Sequence, residues 1–245
     1  MPAFHIRIER PAEIIPKLGK QELDWKKGRS AFELATAWMQ ANALPPPVTA
    51  ILAQAPEWQA AELLECFFER ETGLPGRGRR SQTDLLGIVR LEDGNGILAV
   101  EGKVDEPFGP RVADWLDGEP ARQGDDLSEG NRERSRINRR QRLAQLCALL
   151  EVDHASVGNL FYQLFHRTGA SIYEARRFGY KRAVVLVHSF AERPEPPSMP
   201  AGFDDFRDFT HRVGMPIFVP DSISSPKVCG GIEVRLAWLS DKVSA

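Results

Sequence analysis

Ile97-Leu-Ala-Val-Glu-Gly-Lys-Val104 decides the fold, because it is an apolar run that contains two charged residues. Side chains two residues apart on a β-strand point to the same face, so a strand here places Glu101 and Lys103 side by side. Charged side chains are rarely buried unless they are paired or bind a metal. An acid and a base on one face of an apolar strand therefore require an explanation.

The preceding strand supplies a second acid. Residues 84–91 read as a strand that begins with Asp84, and residues 92–96, Glu-Asp-Gly-Asn-Gly, read as the turn of a β-hairpin. A turn centred near Asp93-Gly94 places Asp84 opposite the stretch from Glu101 to Val104. The register is decisive, since a slip of one residue moves a side chain to the other face of the sheet.

Composition limits the class of protein. The chain has 245 residues, of which 42% are hydrophobic, so it can bury a large core. Its net charge of −2 excludes a simple polycation, and a nucleic-acid site must therefore be a local patch. Three cysteines, odd in number and far apart, indicate reduced thiols and a cytoplasmic location. Neither a signal peptide nor a membrane span is apparent, so no membrane partner is expected.

Helices are predicted before the hairpin, after a short strand over residues 4–8. The first helix begins at Ser30, which has capping-box spacing with Glu33, and ends before the prolines at 45–47. A second begins near Val48. A third is predicted from Pro56 to Thr72, with an apolar face formed by Leu63, Leu64, Phe67 and Phe68.

Two basic segments flank the hairpin in the sequence. Residues 73–80 form a glycine-rich loop with three arginines, and residues 131–142 contain six, after an acidic stretch over 105–129. In one interpretation, the acidic and basic stretches are two solvated faces that neutralise each other. In the other, the basic stretch is the start of a helix that binds phosphates, and the acidic stretch partly covers it when no phosphate is bound. The residues predicted to bind nucleic acid are Arg77, Arg79, Arg80, Arg136, Arg139 and Arg140.

The C-terminal third is predicted to complete an α/β fold. A long helix reaches about Gly179, and the apolar residues 183–187 form a fully buried strand. A short helix over residues 203–213 and strands at 215–219 and 232–238 follow.

The hairpin residues suit metal-dependent phosphodiester cleavage. This reaction needs an activated water and a charge sink, which one or two Mg²⁺ (or Mn²⁺) ions supply through carboxylate ligands. Asp84 and Glu101 are two such carboxylates. Lys103 can orient or help to deprotonate the attacking water and can stabilise the transition state.

The arrangement resembles the PD-(D/E)xK nuclease superfamily, on the basis of Thr83-Asp84 at a strand start and Glu101-Gly102-Lys103 in the next strand. The gap between these motifs is in the family's usual range, although Thr83 replaces the motif's proline. The resemblance implies a mixed α/β, restriction-endonuclease-like fold, with a central mixed sheet flanked by helices. An N-terminal helical extension over 1–55 would pack on a core over 56–245, which carries an insertion at about 105–142.

The resemblance also implies a set of functional residues and partners. Asp84 and Glu101 would bind the metal, and Lys103 would act on the water. A glutamate from the preceding helix often joins such sites, and we choose Glu65, ahead of Glu69 and Glu62. The expected partner is nucleic acid, with DNA the favoured form, and a homodimer stays open.

Two other functions and one bland alternative remain. Residues 139–165 could form a DNA-binding helix-turn-helix without catalysis, although the second helix offers few base-reading groups beyond Asn159 and Gln163. A degenerate nuclease fold could serve as an interaction protein. The alternative without a function is an ion pair between Glu101 and Lys103 on a solvated edge strand. The valines around these residues argue against it, because they indicate a buried strand.

Overall fold

A seven-stranded mixed β-sheet forms the centre of the computed structural model, which describes residues 8–19, 21–118, 129–191 and 199–242. The strands lie in the order β1-β2-β3-β4-β7-β5, and β6 pairs with a further part of β7. Their bounds are β1 Glu62–Thr72, β2 Ser81–Leu91, β3 Gly94–Lys103, β4 Arg182–Ser189, β5 Ser222–Ile223, β6 Lys227–Cys229 and β7 Ile232–Ser240. The prediction of a mixed α/β fold with a central sheet flanked by helices is confirmed.

Six α-helices surround this sheet within the described ranges. They are α1 Ser30–Ala41, α2 Pro46–Leu52, α3 Val112–Asp117, α4 Glu129–Leu150, α5 Tyr162–Phe178 and α6 Phe203–Arg212. Short 3₁₀ helices lie at Pro11–Lys17, Gln21–Leu23, Pro56–Trp58 and His154–Ser156. The helix predicted at Ser30 is present, but Arg29 is its N-cap, and the Glu33 carboxylate accepts a hydrogen bond from the Gly28 amide at 2.7 Å.

The direction of the strands changes at β3. The pairs β1–β2 and β2–β3 are antiparallel, whereas β3–β4 and β4–β7 are parallel. Parallel neighbours need a crossover, and α5 provides the one between β3 and β4. Because α5 therefore lies over the sheet at β3, its inner face meets the charged residues at the end of that strand.

Alternation along the strands divides the core into two layers. On β3, Ile97 and Ala99 pack against α4, α5 and α6, while Leu98 and Val100 pack against α1 and α2. Gly102 lies on the second face, where a Cβ would meet Leu34 at 3.3 Å. Glu101 and Lys103 continue the first face, directly beneath α5.

The helix predicted from Pro56 to Thr72 is wrong, since most of this segment is strand β1. The spacing of the apolar residues suits both the helical period of ~3.6 residues and the strand period of about two residues. In the structure, however, Phe67 packs on the face of the sheet covered by α5 and Phe68 on the face covered by α1, as neighbours on a strand do. Extensive pairing with β2 outweighs the helical spacing.

Two further predictions differ from the structure. Residues 215–219 are not a strand; Met215 and Ile217 are buried in irregular chain, and β5 and β6 follow instead. The strand predicted at 4–8 falls almost entirely outside the described residues. The acidic stretch also lies outside them from 119 to 128.

Candidate active site under helix α5

The hairpin register brings the predicted acids together. The last pair of the β2–β3 ladder joins Leu85 to Val100, so the next position along each strand places Asp84 beside Glu101. The Asp84 Oδ2 accepts a hydrogen bond from the Gly102 amide at 2.9 Å, which ties this carboxylate to β3. The register prediction is confirmed, at the near end of the range from Glu101 to Val104.

Glu101 and Lys103 form a buried ion pair. They are 3% and 6% exposed, and the Lys103 Nζ lies 3.1 Å from the Glu101 Oε1. The ammonium also lies 5.0 Å from the centroid of the Phe108 ring, so one flank of the lysine is apolar. This burial excludes the alternative of a solvated edge pair.

Helix α5 adds two residues that the sequence reading did not assign to this site. The Gln163 Nε2 donates to the Glu101 Oε1 at 2.6 Å, and the Gln163 Oε1 accepts from the Lys103 Nζ at 3.2 Å. The Arg167 Nε donates to the Glu101 Oε2, while its Nη2 donates to the Asp84 Oδ1 at 3.2 Å. The signal was the spacing of Gln163 and Arg167, which places them one turn apart on the same face of the helix.

The third acid near the site is Glu69 rather than Glu65. The β1–β2 register places Glu69 opposite Asp84, between the pairs Phe68–Leu85 and Arg70–Thr83, and its φ of 52° is unusual for a residue other than glycine. Burial and the charges of Asp84 and Glu101 raise the pKa of Glu69 to about 8. Glu65 is exposed on the same strand.

Glu62 also lies away from the carboxylates. It is exposed, and it forms an ion pair of 2.8 Å with Arg90 near the other end of the hairpin. Among the three glutamates considered from sequence, the structure therefore favours Glu69 as the companion of Asp84 and Glu101.

The carboxylates differ in their pKa because their partners differ. Burial, followed by the neighbouring charge of Glu101, raises the pKa of Asp84 to about 7, although Arg167 acts in the opposite direction. Burial would also raise the pKa of Glu101, but the charges of Arg167 and Lys103 outweigh it and lower that pKa. Burial and the neighbouring negative charge thus both favour the protonated form of Asp84 and of Glu69.

The donor chemistry fits a hard divalent cation. Three carboxylates face two cationic side chains, Arg167 and Lys103, and a divalent ion would offset both the burial and the mutual repulsion that raise the pKa of Asp84 and Glu69. Across the described ranges, however, no group of three His, Cys, Asp or Glu side chains is arranged as a ready metal site. Asp84 and Glu101 with solvent are the set that would hold Mg²⁺, and Arg167 now bridges them.

Four of the predicted nucleic-acid contacts meet in one cleft beside the site. Arg77, Arg79 and Arg80, from the loop before β2, and Arg139, from α4, line a cleft of about 740 Å³ that reaches Ser81 and His166. Arg136 lies elsewhere, 4.0 Å from Glu133, and Arg140 is exposed outside this cleft. Arg142, which the sequence reading left out, also lines the cleft.

The helix-turn-helix that was considered as an alternative over residues 139–165 differs from the structure. After α4 the chain forms only a 3₁₀ turn at His154–Ser156, and the next helix begins at Tyr162 rather than at Ser156. Gln163, considered as a base-reading residue, is bound to Glu101 and Lys103.

In the described ranges, no helix has both the length and the apolar character needed to cross a membrane.

Comparison with known proteins gives a family but not an activity. No curated protein and no solved structure matches the chain. A family model described as a domain of unknown function, DUF6946, matches residues 7–243. The chain therefore belongs to the DUF6946 family.

Proposed function

We propose that the protein is a metal-dependent phosphodiesterase that cleaves nucleic acid. The observation that carries the proposal is the buried cluster in which Asp84 lies beside Glu101 and the Lys103 Nζ lies 3.1 Å from that glutamate. Burying two acids side by side costs stability, as the raised pKa of Asp84 shows. A site retained at such a cost suits a protein that uses these charges.

Each residue has a distinct part in this proposal. Bound Mg²⁺ (or Mn²⁺) would polarise the phosphate and make its water more acidic. Asp84 and Glu101 would hold the ion, and the Gly102 amide fixes the Asp84 carboxylate. Lys103, held by Gln163, directs its ammonium to the place where negative charge develops on the phosphate oxygens.

The order of elements supports the same proposal. A three-strand meander, a helix and a strand parallel to β3 follow one another in β1, β2, β3, α5 and β4. The PD-(D/E)xK superfamily, which the motifs resemble, has the core order of helix, hairpin, helix and strand. The hairpin, the second helix and the strand are matched, whereas strand β1 replaces the helix expected directly before the hairpin. We expect DNA as the substrate and the cytoplasm as the location, and a homodimer stays a prediction.

The test is a nuclease assay with Mg²⁺ or Mn²⁺ on single-stranded and duplex DNA and RNA, with EDTA as the blank. Glu101→Gln and Lys103→Ala should each lower the cleavage rate at least ~100-fold, since they remove a ligand and the stabilising charge. Glu62→Gln, which changes an exposed acid in the same sheet, should leave the rate unchanged. Equal rates in the wild type and in folded Glu101→Gln would overturn the proposal.

A non-catalytic nucleic-acid-binding protein is the second candidate, and one contact favours it. Arg167 bonds to both Asp84 and Glu101, so the cluster is already held together by a cation of the chain itself. In that case the wild type should bind nucleic acid in EDTA, show no cleavage with any divalent ion, and unfold at the same temperature with and without Mg²⁺.

A further inference from the structure

The cleft beside the candidate site is strongly basic, although the chain has a net charge of −2. We call it the arginine cleft and define it by Arg77, Arg79, Arg80, Arg139 and Arg142 with the surfaces between them. Asp114 is the one acid among its lining residues. Within the described part of the chain, the exposed guanidinium groups of Arg77, Arg79 and Arg80 form no ion pair. Three cations on one short loop therefore face the cleft without a partner of opposite charge.

The loop that carries these arginines is anchored rather than free. Arg142, 6% exposed, donates to three backbone carbonyls of the loop, those of Pro75, Gly76 and Arg79, at 3.2, 3.4 and 2.7 Å. Gly78 lies so close to this guanidinium that a Cβ would come within 2.9 Å of it. One buried arginine thus fixes the backbone while its neighbours keep their charged groups in solvent.

Aromatic rings form another wall of the cleft. Trp115 from α3 and Tyr162 from α5 are stacked, with ring centroids 3.6 Å apart and planes at 10°. The Arg139 guanidinium lies 5.9 Å from the centroid of the Trp115 ring. Because Tyr162 is buried beneath Trp115, half-buried Trp115 is the ring that an unpaired base can stack on, while the exposed arginines of the loop reach its phosphates.

Hydrogen bonds connect the cleft to the carboxylates. Ser81 and His166 line the cleft, and the Ser81 Oγ shares a hydrogen bond of 2.8 Å with the His166 Nδ1. The Arg167 Nη1 donates to the same Oγ at 3.4 Å, while its Nη2 donates to the Asp84 Oδ1. A strand bound in the cleft would therefore lie beside the residues that hold Asp84 and Glu101.

We propose that the arginine cleft binds a single strand of nucleic acid and leads it to Asp84 and Glu101, an inference that rests on the proposed function. The volume of about 740 Å³ lies in the range of ~300–1,000 Å³ that takes ligands the size of one or two nucleotides. The bases of a duplex are paired and stacked on one another, so they are not available for stacking on Trp115. The substrate is therefore an unpaired end, flap or single strand.

The test measures binding in EDTA, so that cleavage plays no part. A fluorescent oligo-dT strand is titrated with the full chain, beside a blunt duplex of equal length. We expect the single strand to bind at least tenfold more tightly. Arg79→Ala combined with Arg80→Ala should weaken binding at least tenfold and reduce the salt dependence, whereas Arg140→Ala, on α4 outside the cleft, should change it less than twofold.

A second readout reports the aromatic wall. Binding should quench the fluorescence of Trp115, and Trp115→Leu should weaken binding about tenfold. The variant should remain folded at the temperature of the binding assay, as its thermal unfolding curve will show. A duplex that binds as tightly as the single strand would overturn the proposal. So would equal losses in Arg140→Ala and in the double variant, or equal competition by an acidic peptide of the same charge.

The two proposals fail in different ways. If the chain binds single strands in EDTA but never cleaves them with Mg²⁺, the cleft assignment stands and the nuclease does not. If it cleaves duplexes and ignores single strands, the nuclease stands and the cleft assignment falls.

Discussion

Two buried ionic clusters lie beneath α5, and they are built in opposite ways. In the first, the Glu174 carboxylate accepts from the Arg70 Nη2 at 3.0 Å and from the Thr72 Oγ1 at 2.9 Å. In the second, Arg167 and Lys103 face three carboxylates. Glu174 and Arg167 are seven residues apart, so they project from the same face of one helix.

Charge balance separates the two clusters. Glu174 meets one buried arginine, one hydroxyl and, at 3.7 Å, the half-exposed Arg177, so its negative charge is compensated. The second cluster has an excess of acid, which adds to the effect of burial in raising the pKa of Asp84 and Glu69. A balanced buried pair holds β1 against α5, whereas an unbalanced one keeps the capacity for a cation.

The largest expected effect concerns the balanced cluster. Glu174→Ala should lower the free energy of unfolding by about 3–5 kcal/mol, because it leaves the Arg70 guanidinium buried without its carboxylate. Denaturant unfolding measures this loss. The rate of cleavage per folded molecule of this variant should stay within a factor of a few of the wild-type rate. A hundredfold loss of activity with little loss of stability would instead assign the functional role to the Glu174 cluster.

A slightly smaller effect is expected at Arg167, and its remedy distinguishes the clusters. Arg167→Met should lower the unfolding free energy by about 2–4 kcal/mol at pH 8, since three carboxylates then face Lys103 alone. Millimolar Mg²⁺ should restore part of this stability by binding the freed acids. The same Mg²⁺ concentration should not stabilise Glu174→Ala, and equal rescue of both variants would contradict the metal assignment.

The smallest effect is a change in pH dependence. The pKa of Asp84 is raised from 3.8 to about 7, so between about pH 4 and pH 7 the native state binds more protons than the unfolded state. Stability therefore falls as pH rises through this window. Asp84→Asn should reduce that fall and raise the unfolding free energy at pH 8 by ~1 kcal/mol. This is less than the ~4 kcal/mol to which a rise in pKa from 3.8 to about 7 corresponds at ~1.4 kcal/mol per pKa unit, because asparagine also loses the ion pair with Arg167.

Thermal unfolding from pH 4 to pH 8 measures the difference, with Asp105→Asn, an exposed acid near the end of β3, as the control. The remaining slope in Asp84→Asn should come from Glu69, whose pKa is also raised. If the unfolding temperature changed with pH to the same extent in the wild type and in Asp84→Asn, the pKa of Asp84 would not be raised in the native state.

Local sequence was enough to predict the hairpin and its two acids. The turn over residues 92–96 fixes how the two strands align, and alternation then places Asp84, Glu101 and Lys103 on one face. These are short-range relations. The convergence of two arginine segments was also foreseen in part, because a polyanion site needs several cations together.

The remaining site residues depend on long-range packing. Gln163 and Arg167 reach Glu101 only because α5 crosses over β3, some 60 residues later in the chain. Glu69 lies opposite Asp84 only because residues 62–72 pair with β2 as a strand, which the helix predicted for this segment did not allow. The error at β1 has the same origin, since its apolar spacing suits both periods and pairing with β2 decides between them.

The position of β1 at the edge of the sheet has a consequence for self-association. Within the described residues only β2 pairs with it, so its outer row of backbone groups is a template onto which another chain could add. Glu62, Glu65 and Glu71 are exposed along this strand. A second copy docking edge to edge would bring its own carboxylates close to these, so we expect Glu65 and its neighbours to disfavour such pairing.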